Sequence, residues 1–144
     1  MMNEDTKKLL EECTVGCKMG LSSMDQVEDL LQDGELKQVI DTYRVRHEEM
    51  DREASELLQR SGEEPKEPGM AATAFSWLTT EMKLMMKDDH HQIAKLMMDG
   101  CNMGIQSISE NANRYTGASE EAKNVASRLV QTEESFMKDL TRFI

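Results

Sequence analysis

Gly16-Cys17-Lys18-Met19-Gly20-Leu21-Ser22-Ser23 returns later in the chain as Gly100-Cys101-Asn102-Met103-Gly104-Ile105-Gln106-Ser107. Five of the eight positions are identical and a sixth, Leu21 against Ile105, is conservative. Each copy lies inside a long stretch whose apolar residues recur at spacings of three and four, the period of a helix with one buried stripe. A repeated local solution predicts two halves that face one another as pseudo-symmetry mates. Glycines at i and i+4 predict that two helix backbones approach closely there, and helix packing alone is enough to explain the repeat.

Working outward from the first copy, Leu10, Cys13, Cys17, Leu21, Met24, Val27 and Leu31 define a helix from about Glu4 to Asp33, with Asp33-Gly34 as its stop. Ile40, Tyr43, His47, Met50, Ala54 and Leu58 define a second, from about Glu35 to Arg60, closed by Ser61-Gly62. Each is about 40 Å long at a rise of 1.5 Å per residue, and the short turn between them forces antiparallel packing.

Around the second copy, Ile93, Met97, Cys101, Gly104, Ile108 and Ala112 define a helix from about Asp89 to Tyr115. After the Thr116–Ser119 turn, Ala122, Val125, Leu129, Phe136 and Leu140 carry a last helix to the C-terminus. Ser119-Glu120-Glu121 supplies its N-cap and an acidic first turn.

Between the halves, residues 61–69 hold both prolines and read as a linker. A shorter amphipathic helix follows over about 71–87, bearing Phe75, Trp77, Leu78 and Met82. The expected layout is one all-α domain over 1–144. It consists of hairpin 4–60, linker and crossover helix 61–88, and hairpin 89–144.

Composition agrees with long amphipathic helices: 38% hydrophobic and 31% charged residues, with few aromatics. The net charge of −11 argues against a nucleic-acid or anionic-membrane partner, which need clustered Lys and Arg. No apolar run approaches 18 residues, so no transmembrane helix is expected. The opening Met-Met-Asn-Glu-Asp has no apolar core, so no export signal is expected either. Three cysteines without such a signal predict free thiols and a cytoplasmic protein.

Together, the two hairpins, the 61–69 linker, Asp88-Asp89 ahead of Ile93 and the paired glycine motifs resemble the ferritin-like superfamily. More narrowly, they resemble small bacterial ferritin-like four-helix-bundle domains of unknown function with a short crossover helix. The resemblance covers nearly the whole chain. It implies two antiparallel hairpins joined by a long crossover and, in the catalytic members, a di-iron centre. Such a centre takes a Glu from each of two helices and a Glu-x-x-His from each of the other two. This chain departs from that set. Cys17 and Cys101 fall at the acidic positions, Arg44 stands three residues before His47, and Glu133 and Glu134 are followed by Phe136 and Met137. Di-iron oxygen chemistry and iron storage are therefore not expected, and no ligand is carried over.

What the core offers instead is Cys13 and Cys17 on one helix face, Cys101 opposite them, and His47 on the inward stripe of the second helix. Thiolate and imidazole would select Zn²⁺ or Cu(I), so these four residues are the candidate metal ligands. Buried cysteine is equally at home as a small hydrophobe. His90-His91 point in different directions on a helix and read as surface residues. Glu48-Glu49, Glu63-Glu64 and Glu133-Glu134 read as solvated faces, although Glu133 also falls at the edge of the last helix's stripe, beside the candidate Cys/His site. The 13 methionines read as adaptable core filler.

No phosphate loop, nucleophile elbow or other catalytic set is legible. The expected function is a non-catalytic binding or assembly module. Trp77 invites a homodimer or another protein partner, and a soft-metal protein is the alternative.

Overall fold

The computed structural model describes residues 2–63 and 89–144. Four helices make up these residues: α1 (Glu4–Glu28), α2 (Gly34–Arg60), α3 (His90–Arg114) and α4 (Glu120–Leu140), and a 3₁₀ turn, Thr141–Phe143, follows α4. No strand occurs among the described residues. The helical periods in the sequence are thus realised as an all-α bundle. The expected linker and short helix, with Phe75 and Trp77, lie outside the described residues.

Each helix start is capped by a short polar side chain, as orphan N–H groups at a helix start require. Asn3 accepts from Thr6 N–H, Asp89 from Gln92 N–H and Ser119 from Ala122 N–H. Asp33 accepts from both Glu35 and Leu36 N–H, which holds its carboxyl below the usual carboxylate range. The first helix is expected to run to Asp33 but ends at Glu28. The reason is local: Asp33 serves as the cap of α2, with Gly34 as that helix's first residue, and the chain must leave α1 before reaching it.

Helix α1 packs on α2 and α3 on α4; across the bundle α1 meets α3 and α4, and α2 meets α4. One end is marked by Lys7–Glu63 at 3.3 Å, by Asp5 accepting from Gly117 N–H at 2.9 Å and by Ser119 N–H donating to Thr6 Oγ1 at 2.8 Å. The other is marked by Arg142–Glu35 at 3.0 Å and by His91 Nδ1 donating to Phe143 O at 2.8 Å. Helix α2 therefore finishes at one end and α3 starts at the opposite one.

The core has two apolar halves. Met24, Ile40, Tyr43, Met97, Phe136 and Leu140 anchor one. Leu9, Leu10, Met50, Ile108, Val125 and Leu129 anchor the other. Tyr43 stacks on Phe136 with ring centroids 4.5 Å apart and donates its hydroxyl proton to Asp139 at 2.6 Å. Between the halves lies a polar layer.

Candidate functional site

His47 on α2 and Glu133 on α4 meet in that layer, 1% and 8% exposed. His47 Nδ1 lies 2.6 Å from Tyr43 O. A carbonyl oxygen can only accept, so Nδ1 carries a proton. Nε2 and Glu133 Oε1 are joined by a hydrogen bond, as an imidazolium–carboxylate pair or its neutral equivalent. Burial alone would lower the His47 pKa, but the hydrogen bond and charge of Glu133 outweigh it, and the net direction is upward from 6.5. Such a buried pair specifies geometry more than it stabilises, and losing one partner strands the other.

Glu133 is the residue that sequence reasoning leaves between two places, the edge of the apolar stripe and a solvated face. Read with Glu134 as a solvated face, it is buried while Glu134 is exposed. The signal was present: Leu129, Glu133, Phe136 and Leu140 follow the three-and-four spacing of the α4 stripe, so Glu133 occupies a full core position.

The repeated glycines gain their meaning here. A Cβ on Gly20 would stand 3.1 Å from His47 Cδ2, and one on Gly104 would stand 3.7 Å from Glu133 Cγ. The two copies of the motif thus make room for the two members of the pair. Close backbone approach, expected from the i, i+4 spacing, is not what Gly100 serves, since a Cβ there would meet nothing within 4 Å.

That missing side-chain volume leaves a cavity of about 200 Å³ between α1 and α3. Its walls include Val15, Met19, Gly100 and Met103, and His47, Glu133 and Phe136 reach it from the opposite pair of helices.

Cys13, Cys17 and Cys101 are all buried and free. Cys101 lines the cavity, whereas Cys13 and Cys17 do not. Burial pushes the Cys13 thiol up to about 12. It also raises Cys17 and Cys101, with Glu133 adding to the effect on both. Protonated thiols are poor nucleophiles and poor ligands. Among the described residues, no group of three or more His, Cys, Asp or Glu is arranged to hold a metal ion. The four sequence candidates are thus all in the core, but they are not gathered as a coordination set.

The His90 and His91 rings lie tilted against one another with centroids 4.2 Å apart, and His91 ties the start of α3 to the C-terminal turn. Val45 and Ile144 are the exposed large hydrophobics among the described residues, so no apolar patch of interface size is found there. No described helix is long and apolar enough to cross a membrane. Compared with known proteins, the chain matches no family model, no curated protein and no solved structure.

Proposed function

We propose that this chain is a non-catalytic binding module on a ferritin-like frame, and that its ligand is a small molecule seated between α1 and α3. The observation that carries this reading is the cavity of about 200 Å³, opened by glycines and backed by a buried His–Glu pair. A concave apolar site with a few convergent polar groups and a perturbed titratable residue is the usual form of a binding pocket. The ferritin-like part of the proposal draws on α2 ending and α3 starting at opposite ends, which calls for a connection along the whole bundle. A binding rather than catalytic role draws on the chemistry of the cavity. Both His47 nitrogens are engaged and the Cys101 thiol is held protonated, so neither is poised as a nucleophile toward a substrate.

The soft-metal alternative has the proximity of Cys17 and Cys101 to Glu133 in its favour. It would require buried thiols to ionise and the side chains to regroup. Assembly as a homodimer rests on Trp77, outside the described residues, and mass measurement across a concentration series decides it.

Thermal unfolding tests the pocket. A ligand at one hundred times its Kd stabilises by about 2.7 kcal/mol. Small aromatic molecules, indole among them, are expected to raise the melting temperature of the parent. They should not raise that of Gly100→Leu, whose side chain takes the space. If no small apolar molecule shifts the parent, the binding reading fails.

A further inference from the structure

We infer that the cavity takes a neutral aromatic molecule of one or two rings bearing a single hydrogen-bond donor, which it offers to Glu133 Oε2. The inference rests on the cavity being the binding site and adds the chemical class of its occupant.

Size comes first. The volume is about 200 Å³, somewhat above the roughly 150 Å³ of an apolar protein cavity that holds benzene. One ring with substituents, or two fused rings, fits that range.

The lining then selects for shape and polarisability. Met19, Met24, Met97 and Met103 all border the space. Thioethers are flexible and make favourable contacts at the edge of aromatic rings. Phe136 adds an aromatic wall. The methionines that read as core filler in the sequence are, at these four positions, the walls of the cavity.

Charge is decided by the pair. His47 and Glu133 neutralise each other, so any net charge brought by a ligand would be buried without compensation. No Lys or Arg is among the lining residues. An anion is therefore the worst occupant.

Donor capacity is decided by counting hydrogen-bonding groups. His47 has none to spare, since Nδ1 donates to Tyr43 O and Nε2 is hydrogen-bonded to Glu133 Oε1. The Cys101 thiol, also on the lining, already hydrogen-bonds to Glu133, but a thiol is a weak donor and a carboxylate has about four lone-pair sites, so Glu133 keeps room for a stronger donor. Ser23 Oγ, also on the lining, donates to Met19 O. Glu133 Oε2 lies on the cavity side, 3.8 Å from where a Gly104 Cβ would stand. Whichever partner holds the proton of the His47–Glu133 bond, Oε2 is an acceptor. A ligand N–H or O–H satisfies it, and a ligand that only accepts does not.

Isothermal titration of the full-length protein at neutral pH with three probes tests this. The probes are indole, 1-methylindole and indole-3-carboxylate. Indole is expected to bind. Removing the donor in 1-methylindole should weaken binding about tenfold, and the carboxylate should show no measurable binding. Equal affinity for indole and 1-methylindole, or comparable affinity for the anion, overturns the ligand class while leaving the pocket intact. Absence of binding by all three overturns the ligand class as well. In that case a melting-temperature rise with toluene or naphthalene would show that the pocket itself survives, and no rise would show that it does not.

Discussion

Replacing each repeated glycine by alanine puts the cavity itself to the test. A glycine inside a helix costs about 1 kcal/mol relative to alanine, so the substitution gains that much wherever the new methyl has room. Gly100 has nothing within 4 Å of a built Cβ, and Gly104 offers an ordinary contact at 3.7 Å. Both alanine variants should be more stable by about 1 kcal/mol, which is about 3 °C in melting temperature for a domain of this size. Gly16 differs, because the methyl would meet Ile108 Cδ1, the tip of a flexible side chain, at 3.4 Å, and the outcome there is close to neutral. Gly20 differs most. The contact is 3.1 Å to the His47 ring, and that ring is held at both nitrogens. Overpacking of this kind costs about 1–3 kcal/mol, so Gly20→Ala should lose about 1 kcal/mol net. Urea unfolding of the four single variants reads the order directly. A uniform loss across all four would mean that the glycines serve close helix approach, and the account of the cavity would be refuted.

His47 should titrate above 6.5 by NMR of its ring protons, and below 6.5 in Glu133→Gln, where burial acts without the opposing charge. Because its folded value is raised, the stability it contributes is complete below pH 6.5. That contribution is lost as the pH climbs through the folded value, so urea midpoints should fall on that side. The thiols act in the same direction at higher pH. Cys13, raised from 9.0 to about 12, withholds about 4 kcal/mol from the folded state as pH rises across that interval. Cys13→Ala should flatten the alkaline loss seen in denaturant titrations. All three thiols should react slowly with a disulfide reagent in the native state and fully in urea. Tyr43, pushed up to about 12 by burial and by its bond to Asp139, should give a late phase in a 295 nm titration, and Tyr43→Phe should remove it.

Much of the bundle could be read from side-chain periodicity, because a helix with one wet face must repeat its apolar residues at three and four. The stripe put His47 and all three cysteines inside, and they are inside. Helix ends were less legible. Asp33-Gly34 carries the chemistry of a stop and of a start, and which one operates depends on where the next helix lies. Glu133 was left between stripe edge and solvated face because two adjacent glutamates look alike in sequence, although only one falls on the buried arc. The cavity could not be read at all. A glycine records the absence of a side chain, and whether the neighbouring helix moves in or leaves a gap depends on the separation that all the other side chains set. At Gly100 the gap stays open.

The polar layer also bears on which alignment of the helices the sequence permits. Leucine, methionine and alanine positions tolerate a shift of one turn between α2 and α4, since one aliphatic contact replaces another at little cost. His47 and Glu133 do not. Sliding either helix by about 5.4 Å would separate them and leave two buried polar groups facing hydrocarbon, at several kcal/mol. The pair therefore acts as a register key. It contributes less to holding the helices together than to deciding how far along one another they lie, and the Tyr43–Asp139 bond between the same two helices fixes the same alignment.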